Sequence, residues 1–309
     1  MKLGIVGAGA IGLTFAAALA AVHDVIVLAR RPAVAELLAR DGIAITGDTA
    51  VERVPVRATA DPRAFADRDA VIVAVKAYGT TEALAPLRGV LPPHALVASV
   101  QNGLGNVEAA RAALPGARVV AGSTTQGAIN LGDGRLRPSN AGMTTFERSD
   151  DASPTSDDLA AAFIAAGLDA RVTDDAAAML WRKLIVNAAI NPLCALTGRP
   201  NGAVVEDADA ELIARGLASE AAAVARADGV DAADAWHTVE AAARTSAANR
   251  NSMLQDLDAG RPTEIEAISG AIVNRAHAHG IAVPLTETML HLMRARERMP
   301  REPRRGTDR

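Results

Sequence analysis

The chain has 309 residues, half of which are apolar, and a formal net charge of −4. This length suits two domains or one large domain with a substantial core, and the weak negative charge gives no general attraction to nucleic acid or to an anionic membrane. The single cysteine, Cys194, excludes an intrachain disulfide and is typical of a reducing compartment. Glycines and the polar pair His23-Asp24 interrupt the apolar N-terminus, and no apolar run reaches ~18–20 residues. We therefore expect a soluble cytoplasmic protein without a signal peptide or a transmembrane helix.

The first third of the chain alternates short apolar runs with helical stretches. Apolar runs at 3–6, 24–29, 69–75 and 95–100 predict buried strands, and residues 10–21 predict the first helix. Strand–helix alternation of this kind favours a mostly parallel sheet with right-handed crossovers. The N-terminal domain is therefore predicted to have an α/β Rossmann fold.

The pattern changes in the middle of the chain. Residues 118–146 predict shorter strands joined by glycine-rich turns, followed by a helix at 158–166 and a strand that ends at Thr173. The later part is rich in Ala and Leu with helical periodicity, and its helices are predicted to break at Asn191-Pro192, Gly198, Gly202, Gly229 and Arg261-Pro262.

These patterns divide the chain into three parts. We expect a Rossmann domain over residues 1–173 and an all-α domain over residues 174–298. The charged, proline-containing residues 299–309 predict a disordered tail.

A glycine-rich motif, GAGAIG at Gly7, Ala8, Gly9, Ala10, Ile11 and Gly12, leaves the first strand and opens the first helix. In that context G-x-G-x-x-G predicts a dinucleotide site. The first glycine permits the tight turn, the second leaves room for the pyrophosphate, and the third lets the helix pack closely on the strand. The helix N-terminus then offers N–H groups and a partial positive charge to the phosphates.

The end of the second strand bears on the choice of cofactor. A site for NAD usually has Asp or Glu there, whereas this chain has Arg30-Arg31. Because arginine pairs well with a 2′-phosphate, the sequence favours NADP(H), mainly through Arg30. The alternative is that both arginines are solvated surface residues.

Two further strands end in polar residues. Lys76 follows the run 69–75, and Asn102 follows the run 95–100. Ligands of open α/β sheets bind outside the carboxyl ends of the strands, so both residues are candidates for the cofactor crevice. A simple solvent-facing role for Lys76 stays open.

A polar strip is predicted on an otherwise apolar helix. Lys183, Asn187 and Asn191 are spaced at i, i+4 and i+8, so they share one helical face. Asparagine disfavours a helix interior, which suggests that the strip faces a ligand cleft. A solvated face or a buried polar ladder between helices is the alternative.

The segment 249–266 carries another group of polar residues. Ser252 flanks an apolar pair, and Thr263 to Glu266 fits the capping box T-x-x-E. Glu264 would lie in the first turn of that helix, where the dipole favours a carboxylate. Its position is equally compatible with a catalytic role.

Over nearly its whole length the chain resembles the ketopantoate reductases (2-dehydropantoate 2-reductases). The runs that carry this resemblance are GAGAIG at 7–12, VKAY at 75–78, QNGLGN at 101–106, STTQGA at 123–128, RKLIVNAAINPL at 182–193 and NSMLQDLDAGRPTEIEAISG at 251–270. The last two are long and specific, whereas many Rossmann enzymes share the first.

The resemblance implies a Rossmann domain, a helical C-terminal domain and an active site in the cleft between them. It also implies reduction of 2-oxopantoate to (R)-pantoate by NADPH, a step toward pantothenate and coenzyme A. In this chain Lys183 resembles the family's general acid, and Glu264 resembles its acidic partner near the substrate. The other positions that match are substrate contacts at Asn187, Asn191 and Ser252, and crevice and cofactor contacts at Asn102, Lys76 and Arg30.

Two other functions stay open from the sequence. The same residues would suit an NADPH-dependent reductase of another 2-oxo acid, since fold and motif do not settle the substrate. A non-catalytic NADP(H) sensor is a further alternative, which the polar set around Lys183 argues against. We expect a small-molecule substrate, no nucleic-acid or membrane partner, and a monomer or homodimer. No metal site is expected, because His277 and His279 point to different sides of a helix.

Overall fold

The fold is described here from a computed structural model, which covers residues 1–47 and 51–299. The chain forms two compact units, the first ending at Leu180 and the second beginning at Trp181. The predicted domain boundary near residue 173 falls at the end of the last strand, just before the helix that contains this division. The predicted tail lies outside the described residues except for Met299.

The first unit contains all the strands of the described residues. Their bounds are β1 Lys2–Val6, β2 Asp24–Leu28, β3 Ile43–Thr46, β4 Val51–Val54, β5 Arg57–Thr59, β6 Ala70–Val73, β7 Leu96–Ser99, β8 Arg118–Thr124, β9 Gly127–Gly132, β10 Arg135–Asn140, β11 Thr144–Glu147 and β12 Ala170–Thr173. The α-helices that lie wholly within the described part of this unit are α1 Ala10–Leu19, α2 Pro32–Asp41, α3 Thr80–Leu84, α4 Asn106–Ala113 and α5 Ser156–Ala165.

Eight of these strands form one sheet in the order β12-β11-β8-β7-β6-β1-β2-β5. Every neighbouring pair is parallel except β11 with β8. The predicted Rossmann fold is therefore confirmed. Every residue of the central strands β6 and β7 is buried because helices cover both faces, and all of them are apolar except Ser99.

The remaining four strands form a second sheet in the order β4-β3-β10-β9. Its strands pair antiparallel except β3 with β10, and Leu136 of β10 is buried in the core of the unit. The sequence predicted short strands over residues 118–146, where β9 and β10 lie, but it predicted neither β3 and β4 nor the assembly of the four strands into a separate sheet. Pairing β3 with β10 joins segments about 90 residues apart, which local patterns do not encode.

Three of the four phenylalanines anchor the core of the first unit. Phe163 makes edge-to-face contacts with Phe15 and Phe146, with ring centroids 4.9 and 5.2 Å apart. Such aromatic pairs contribute about 0.5–1.5 kcal/mol beyond their buried area. They tie α1, α5 and β11 into one core.

The described part of the second unit is helical, as predicted. Its helices are α6 Ala176–Thr197, which begins in the first unit, α7 Ala203–Glu206, α8 Ala208–Ala227, α9 Ala235–Thr245, α10 Ser252–Ala259, α11 Ala271–His279 and α12 Pro284–Arg298. A π-helical turn, Glu266–Gly270, directly precedes α11. Within the described residues, no helix combines the length and apolar character needed to cross a membrane.

The predicted helix break at Asn191-Pro192 is wrong. Helix α6 continues through Pro192 to Thr197 and ends before Gly198, whose φ is +69°. A proline inside a helix removes one hydrogen bond and costs ~3 kcal/mol or more. Every residue from Ala188 to Ala195 is buried, so apolar packing offsets that loss.

The predicted capping box at Thr263 and Glu266 is also wrong. The Thr263 N–H donates to the carboxylate of Glu297 on α12 at 2.8 Å. The carboxylate of Glu266 instead accepts two 2.6 Å hydrogen bonds from Arg294. Both partners come from α12, so tertiary contacts replace the local cap.

Candidate active site

The glycine-rich turn connects β1 to α1 at the carboxyl edge of the sheet. Gly7 has φ of +115°, which L side chains rarely adopt. A Cβ at Gly12 would collide with the carbonyl oxygen of Gly7, so close packing of the turn requires glycine there. At Gly9 a Cβ would meet only the Ala74 oxygen, at 3.8 Å, so the space beside Gly9 is open. The three glycines thus have the roles expected of a turn that receives a pyrophosphate.

The start of α1 is suited to a negatively charged group. Gly9 is the N-cap residue and has no side chain that could satisfy the first N–H groups of the helix. The first turn, from Ala10 to Leu13, carries no acidic side chain. The partial positive charge of this helix end therefore remains for an anion.

Arg30 follows β2 at the same edge of the sheet. Its guanidinium lies 3.4 Å from the carboxylate of Glu82, and 78% of its side chain is exposed. An exposed pair of this length holds the arginine weakly. Arg30 is therefore free to turn toward a second anion, as the 2′-phosphate of NADP(H) would require.

Lys76 and Asn102 lie in loops that leave the adjacent parallel strands β6 and β7. Both are half-buried. The strands end at Val73 and Ser99, earlier than predicted, so each residue sits in a loop three positions beyond its strand. The structure thus brings the glycine turn, Arg30 and these two loops to one edge of the first unit.

Gln101 holds these two loops together, a role that the sequence did not reveal. Its amide donates to the Val75 oxygen at 3.0 Å and to the Thr80 hydroxyl at 2.7 Å, and its oxygen accepts from Ser99 at 2.9 Å. It is 6% exposed. Because every polar atom of this buried side chain is paired, Gln101 fixes the backbone beside Lys76 and Asn102.

In the second unit, α6 carries Lys183, Asn187 and Asn191 one turn apart on the same face. Lys183 and Asn187 are half-buried, and Asn191 is buried. Their neighbours along the helix, including Leu184, Ile185 and the residues from Ala188 to Ile190, form the apolar core. The polar strip is therefore set into an apolar surround and does not form an open solvated face.

The surroundings of Lys183 alter its protonation equilibrium. Desolvation by its surroundings lowers the pKa of Lys183 from 10.5 to about 8, while the negative charge of Glu264 opposes the shift. An ammonium with a pKa near neutrality can both hold a proton and release it. This is the property that a general acid needs at physiological pH.

Glu264 lies between α10 and the π-helical turn, and only 6% of it is exposed. Its carbonyl oxygen accepts the Ile268 N–H at 3.1 Å, as at the start of a helix. Glu266, two residues later, is exposed and paired with Arg294. The two glutamates therefore differ in kind: Glu264 is buried within electrostatic reach of Lys183, and Glu266 forms a surface ion pair.

Ser252 is the first residue of α10 and is half-buried. The Asn251 side chain caps this helix by accepting the Leu254 N–H at 3.0 Å, and its amide donates to Asn201 at 3.1 Å. The backbone N–H of Asn201 also donates to the carbonyl oxygen of Asn249 at 3.0 Å. This asparagine network fixes the start of α10, although nothing in the local spacing singled out Asn201.

Other reactive side chains are placed differently. Burial raises the pKa of the Cys194 thiol to about 12, so this cysteine is an unreactive core residue at neutral pH. Among residues 1–47 and 51–299, no group of three or more His, Cys, Asp or Glu side chains is arranged to hold a metal ion. Within the described residues, the candidates for chemistry are therefore the polar side chains of α6, Ser252 and Glu264 in the second unit and the polar groups near the glycine turn in the first.

Comparison with known protein families gives two matches that together span most of the chain. The family "Ketopantoate reductase PanE/ApbA" matches residues 3–151, and its C-terminal family matches residues 175–297. A 2-dehydropantoate 2-reductase of Halobacterium salinarum is 38% identical over 266 residues, covering 84% of this chain and 86% of that protein. The enzyme of the same name from Archaeoglobus fulgidus is 36% identical over 299 residues, covering 96% and 98%.

Solved structures show the same likeness. A PanE/ApbA family ketopantoate reductase from Ralstonia eutropha JMP134 is 34% identical, with a TM-score of 0.87 over 96% of this chain and 98% of that one. A D-mandelate dehydrogenase solved with NADH and anilino(oxo)acetate has a TM-score of 0.89 over 96% and 98%. At 23% identity, this second likeness shows a shared fold alone.

Proposed function

This chain belongs to the ketopantoate reductase family of oxidoreductases, and we propose that it reduces 2-dehydropantoate to (R)-pantoate with NADPH. This is a step toward pantothenate and coenzyme A. The observation that carries the proposal is the pair of Lys183 and Glu264, a lysine with a lowered pKa beside a buried carboxylate. We propose that residues 1–173 bind the cofactor and that residues 174–298 supply the groups that act on the substrate.

The residues of the first unit fit a nicotinamide dinucleotide. Open space beside Gly9 and the uncapped start of α1 suit a pyrophosphate, and Lys76 and Asn102 would contact the cofactor from the neighbouring loops. Arg30 and the lack of an acidic residue at this position support NADPH over NADH. When bound, the reduced nicotinamide supplies the hydride that attacks the substrate carbonyl carbon.

Lys183 would act on the carbonyl oxygen of the substrate. As hydride reaches the carbonyl carbon, negative charge develops on that oxygen, and the ammonium of Lys183 stabilises it and donates a proton. Glu264 favours the protonated form of Lys183, because its charge raises the lysine pKa against the effect of burial. The lysine is therefore kept charged at neutral pH and can still release its proton.

The neutral polar groups would hold the substrate. In the second unit, Asn187, Asn191 and Ser252 offer amides and a hydroxyl that suit the carboxylate and hydroxyl of 2-dehydropantoate. For Asn102 of the first unit we propose a substrate contact as well as a cofactor contact. Fixing the substrate in this way aligns its carbonyl for hydride and proton transfer. Because these groups are neutral, they leave the charge of Lys183 and Glu264 undisturbed.

The test is a survey of NADPH oxidation at 340 nm with the purified full chain and a panel of 2-oxo acids. We expect the highest kcat/KM for 2-dehydropantoate and formation of the (R)-alcohol, which chiral chromatography would detect. The Lys183→Ala variant serves as a control for contaminating reductases. A higher kcat/KM for another 2-oxo acid would reject the substrate assignment but keep the reductase.

Two alternative functions would give different results in this survey. A reductase of another 2-oxo acid would share all the groups above, and the likeness to D-mandelate dehydrogenase supports only the common fold. A non-catalytic NADP(H) sensor would bind the cofactor without turnover of any acid in the panel. The pair of Lys183 and the buried Glu264 favours an enzyme, because binding a dinucleotide in the first unit requires neither residue.

A further inference from the structure

One residue of the small sheet contacts the glycine-rich turn directly. The side-chain amide of Asn130, on β9, donates to the carbonyl oxygen of Ala8 at 3.2 Å. Its side-chain oxygen accepts the Gly132 N–H at 2.9 Å. Since one end of the amide accepts from a backbone N–H and the other donates to a backbone oxygen, the two bonds also define which way the amide points.

The strand that carries Asn130 is itself held in place. β9 pairs with β10 at Asn130 and Leu136, and Leu136 is 1% exposed. Ala128 of β9 packs on the same apolar core as Ala8 and Ile11 of the glycine turn. Asn130 therefore projects from a fixed strand toward the start of α1.

The glycine-rich turn has few side chains of its own that could fix it. Glycine has more backbone freedom than any other residue, and this turn contains Gly7 and Gly9 around a single alanine. In a trans peptide the carbonyl and the N–H point in opposite directions. A hydrogen bond that holds the Ala8 oxygen therefore also sets the direction of the Gly9 N–H, on the opposite side of the same peptide.

We propose that Asn130 is a positioning residue for the cofactor: it holds the Ala8–Gly9 peptide so that the Gly9 N–H is offered to the pyrophosphate. The proposal rests on the proposed NADP(H) function. It gives the small sheet a role in binding, which is to brace the glycine turn from outside the βαβ unit. The strength of cofactor binding then depends on a residue more than a hundred positions from the motif.

The test compares two ligands that differ in the pyrophosphate. NADP⁺ contains both the 2′-phosphate and the pyrophosphate, whereas adenosine 2′-monophosphate contains only the 2′-phosphate. Asn130→Ala removes one hydrogen bond to the turn, so NADP⁺ affinity should fall about 2–10-fold in calorimetry. The affinity for adenosine 2′-monophosphate should stay at the wild-type value. In kinetics, KM for NADPH should rise while kcat at saturating NADPH is kept.

Two further variants sharpen this result. Asn130→Asp keeps the acceptor for Gly132 but cannot donate to Ala8, so it should also lose NADP⁺ affinity relative to adenosine 2′-monophosphate. Arg135→Ala removes a side-chain bond to the Leu131 oxygen within the same hairpin and should leave the ratio of the two affinities unchanged. Because Asn130→Asp also places a negative charge beside the turn, the neutral Asn130→Ala variant decides whether the lost hydrogen bond alone changes the ratio.

The outcomes separate this proposal from the function on which it rests. Equal losses for both ligands, or no loss, in Asn130→Ala would overturn the positioning role while leaving the NADP(H) assignment intact. Wild-type protein that binds neither ligand would overturn the NADP(H) assignment and the role of Asn130 with it. An altered ratio with an unchanged melting temperature supports the proposal, because general damage to the fold would lower the melting temperature.

Discussion

The glycine-rich turn of the first unit and the Lys183–Glu264 pair of the second present positive charge by different means. The turn presents backbone N–H groups and open space beside Gly9, all within six consecutive residues. The pair consists of two side chains from distant parts of the chain, and its properties depend on burial. Under the proposed function, a local motif is enough to form the phosphate site, whereas a general acid with a shifted pKa requires the surroundings that only the folded chain provides.

This difference predicts different consequences of substitution. Changes at the turn should alter cofactor affinity, and changes at the pair should alter turnover and its pH dependence. A substitution at the turn that changed turnover at saturating cofactor, or one at the pair that changed cofactor affinity, would show that the two regions are not separate in function.

The largest effect is expected at Lys183. Lys183→Ala removes the charge and the proton donor, and because general acid catalysis contributes roughly 10²–10⁴-fold, kcat should fall by about that factor. NADPH affinity, measured by fluorescence, should change little. Lys183→Arg should restore little activity, since guanidinium is a much weaker acid of different shape.

A matched control lies next to it on α6. Arg182 is exposed, so Arg182→Ala removes a cation from the same turn without touching the polar strip and should keep kcat. If Lys183→Ala kept a near-wild-type kcat, the proton would have to come from water or another residue.

The next effect concerns the 2′-phosphate. Arg30→Ala removes a charged hydrogen bond worth ~1.5–3 kcal/mol, so NADPH should bind roughly 10–100-fold more weakly while NADH is nearly unaffected. Titration of both cofactors by fluorescence measures this. Equal losses for NADPH and NADH would remove Arg30 from the 2′-phosphate site.

The glycines of the turn offer a paired test. Gly9→Ala adds a methyl into open space, so the fold should persist while the pyrophosphate is pushed away and NADPH affinity falls about tenfold or more. Gly12→Ala adds a methyl against the Gly7 oxygen, so the melting temperature should fall as well. Thermal melts and NADPH titrations on both variants make the comparison, and a lower melting temperature for Gly9→Ala would contradict the assignment of open space.

The pH dependence tests the pair itself. In the proposed mechanism Lys183 acts in its protonated form, and its pKa is lowered to about 8, so kcat/KM should fall as pH rises through that value. Glu264 raises the pKa of Lys183, so Glu264→Gln should move this fall to lower pH. If Glu264 serves only the start of its helix, the variant should lose a little stability and keep the wild-type pH profile.

The last predicted effect is on stability and not on activity, and we expect the substitution to stabilise the fold. The folded-state pKa of Lys183, about 8, lies below its ordinary value of 10.5, so the charged lysine destabilises the fold at neutral pH. Lys183→Met should raise the free energy of unfolding at pH 7 by on the order of 2 kcal/mol. The gain should shrink between pH 8 and 10.5, as the wild-type lysine loses its proton. Urea unfolding at pH 7 and pH 10 would show it, and a less stable variant at pH 7 would contradict it.

The central strands and the polar face of α6 could be predicted from the sequence, because each depends on residues that are close together in the chain. Apolar runs predicted the central strands within a few residues, since strands covered on both faces must be apolar. The i, i+4, i+8 spacing placed Lys183, Asn187 and Asn191 on one helix, which α6 confirms. Resemblance to a family, and not spacing, singled out Glu264 from Glu266 as a catalytic candidate.

The errors arose where distant contacts override local rules. Proline predicted a break in α6, but burial of the surrounding residues keeps the helix continuous. A capping box was predicted at Thr263, but α12 supplies Glu297 and Arg294 as partners instead. In both cases the neighbouring residues favour one local structure, and contacts with residues distant in sequence stabilise another. A prediction from neighbouring residues alone cannot include those contacts.

The sequence by itself determined the Rossmann fold, the glycine turn, the helical second part and the polar face of α6, because each follows from periodicity or from the geometry of consecutive residues. Only the tertiary structure decided that Lys183 is desolvated within reach of Glu264, that Gln101 ties two loops together, and that Asn130 bonds to the glycine turn. These depend on which distant residues exclude water or meet across a sheet. Burial and long-range pairing are properties of the whole chain, so no window of sequence contains them.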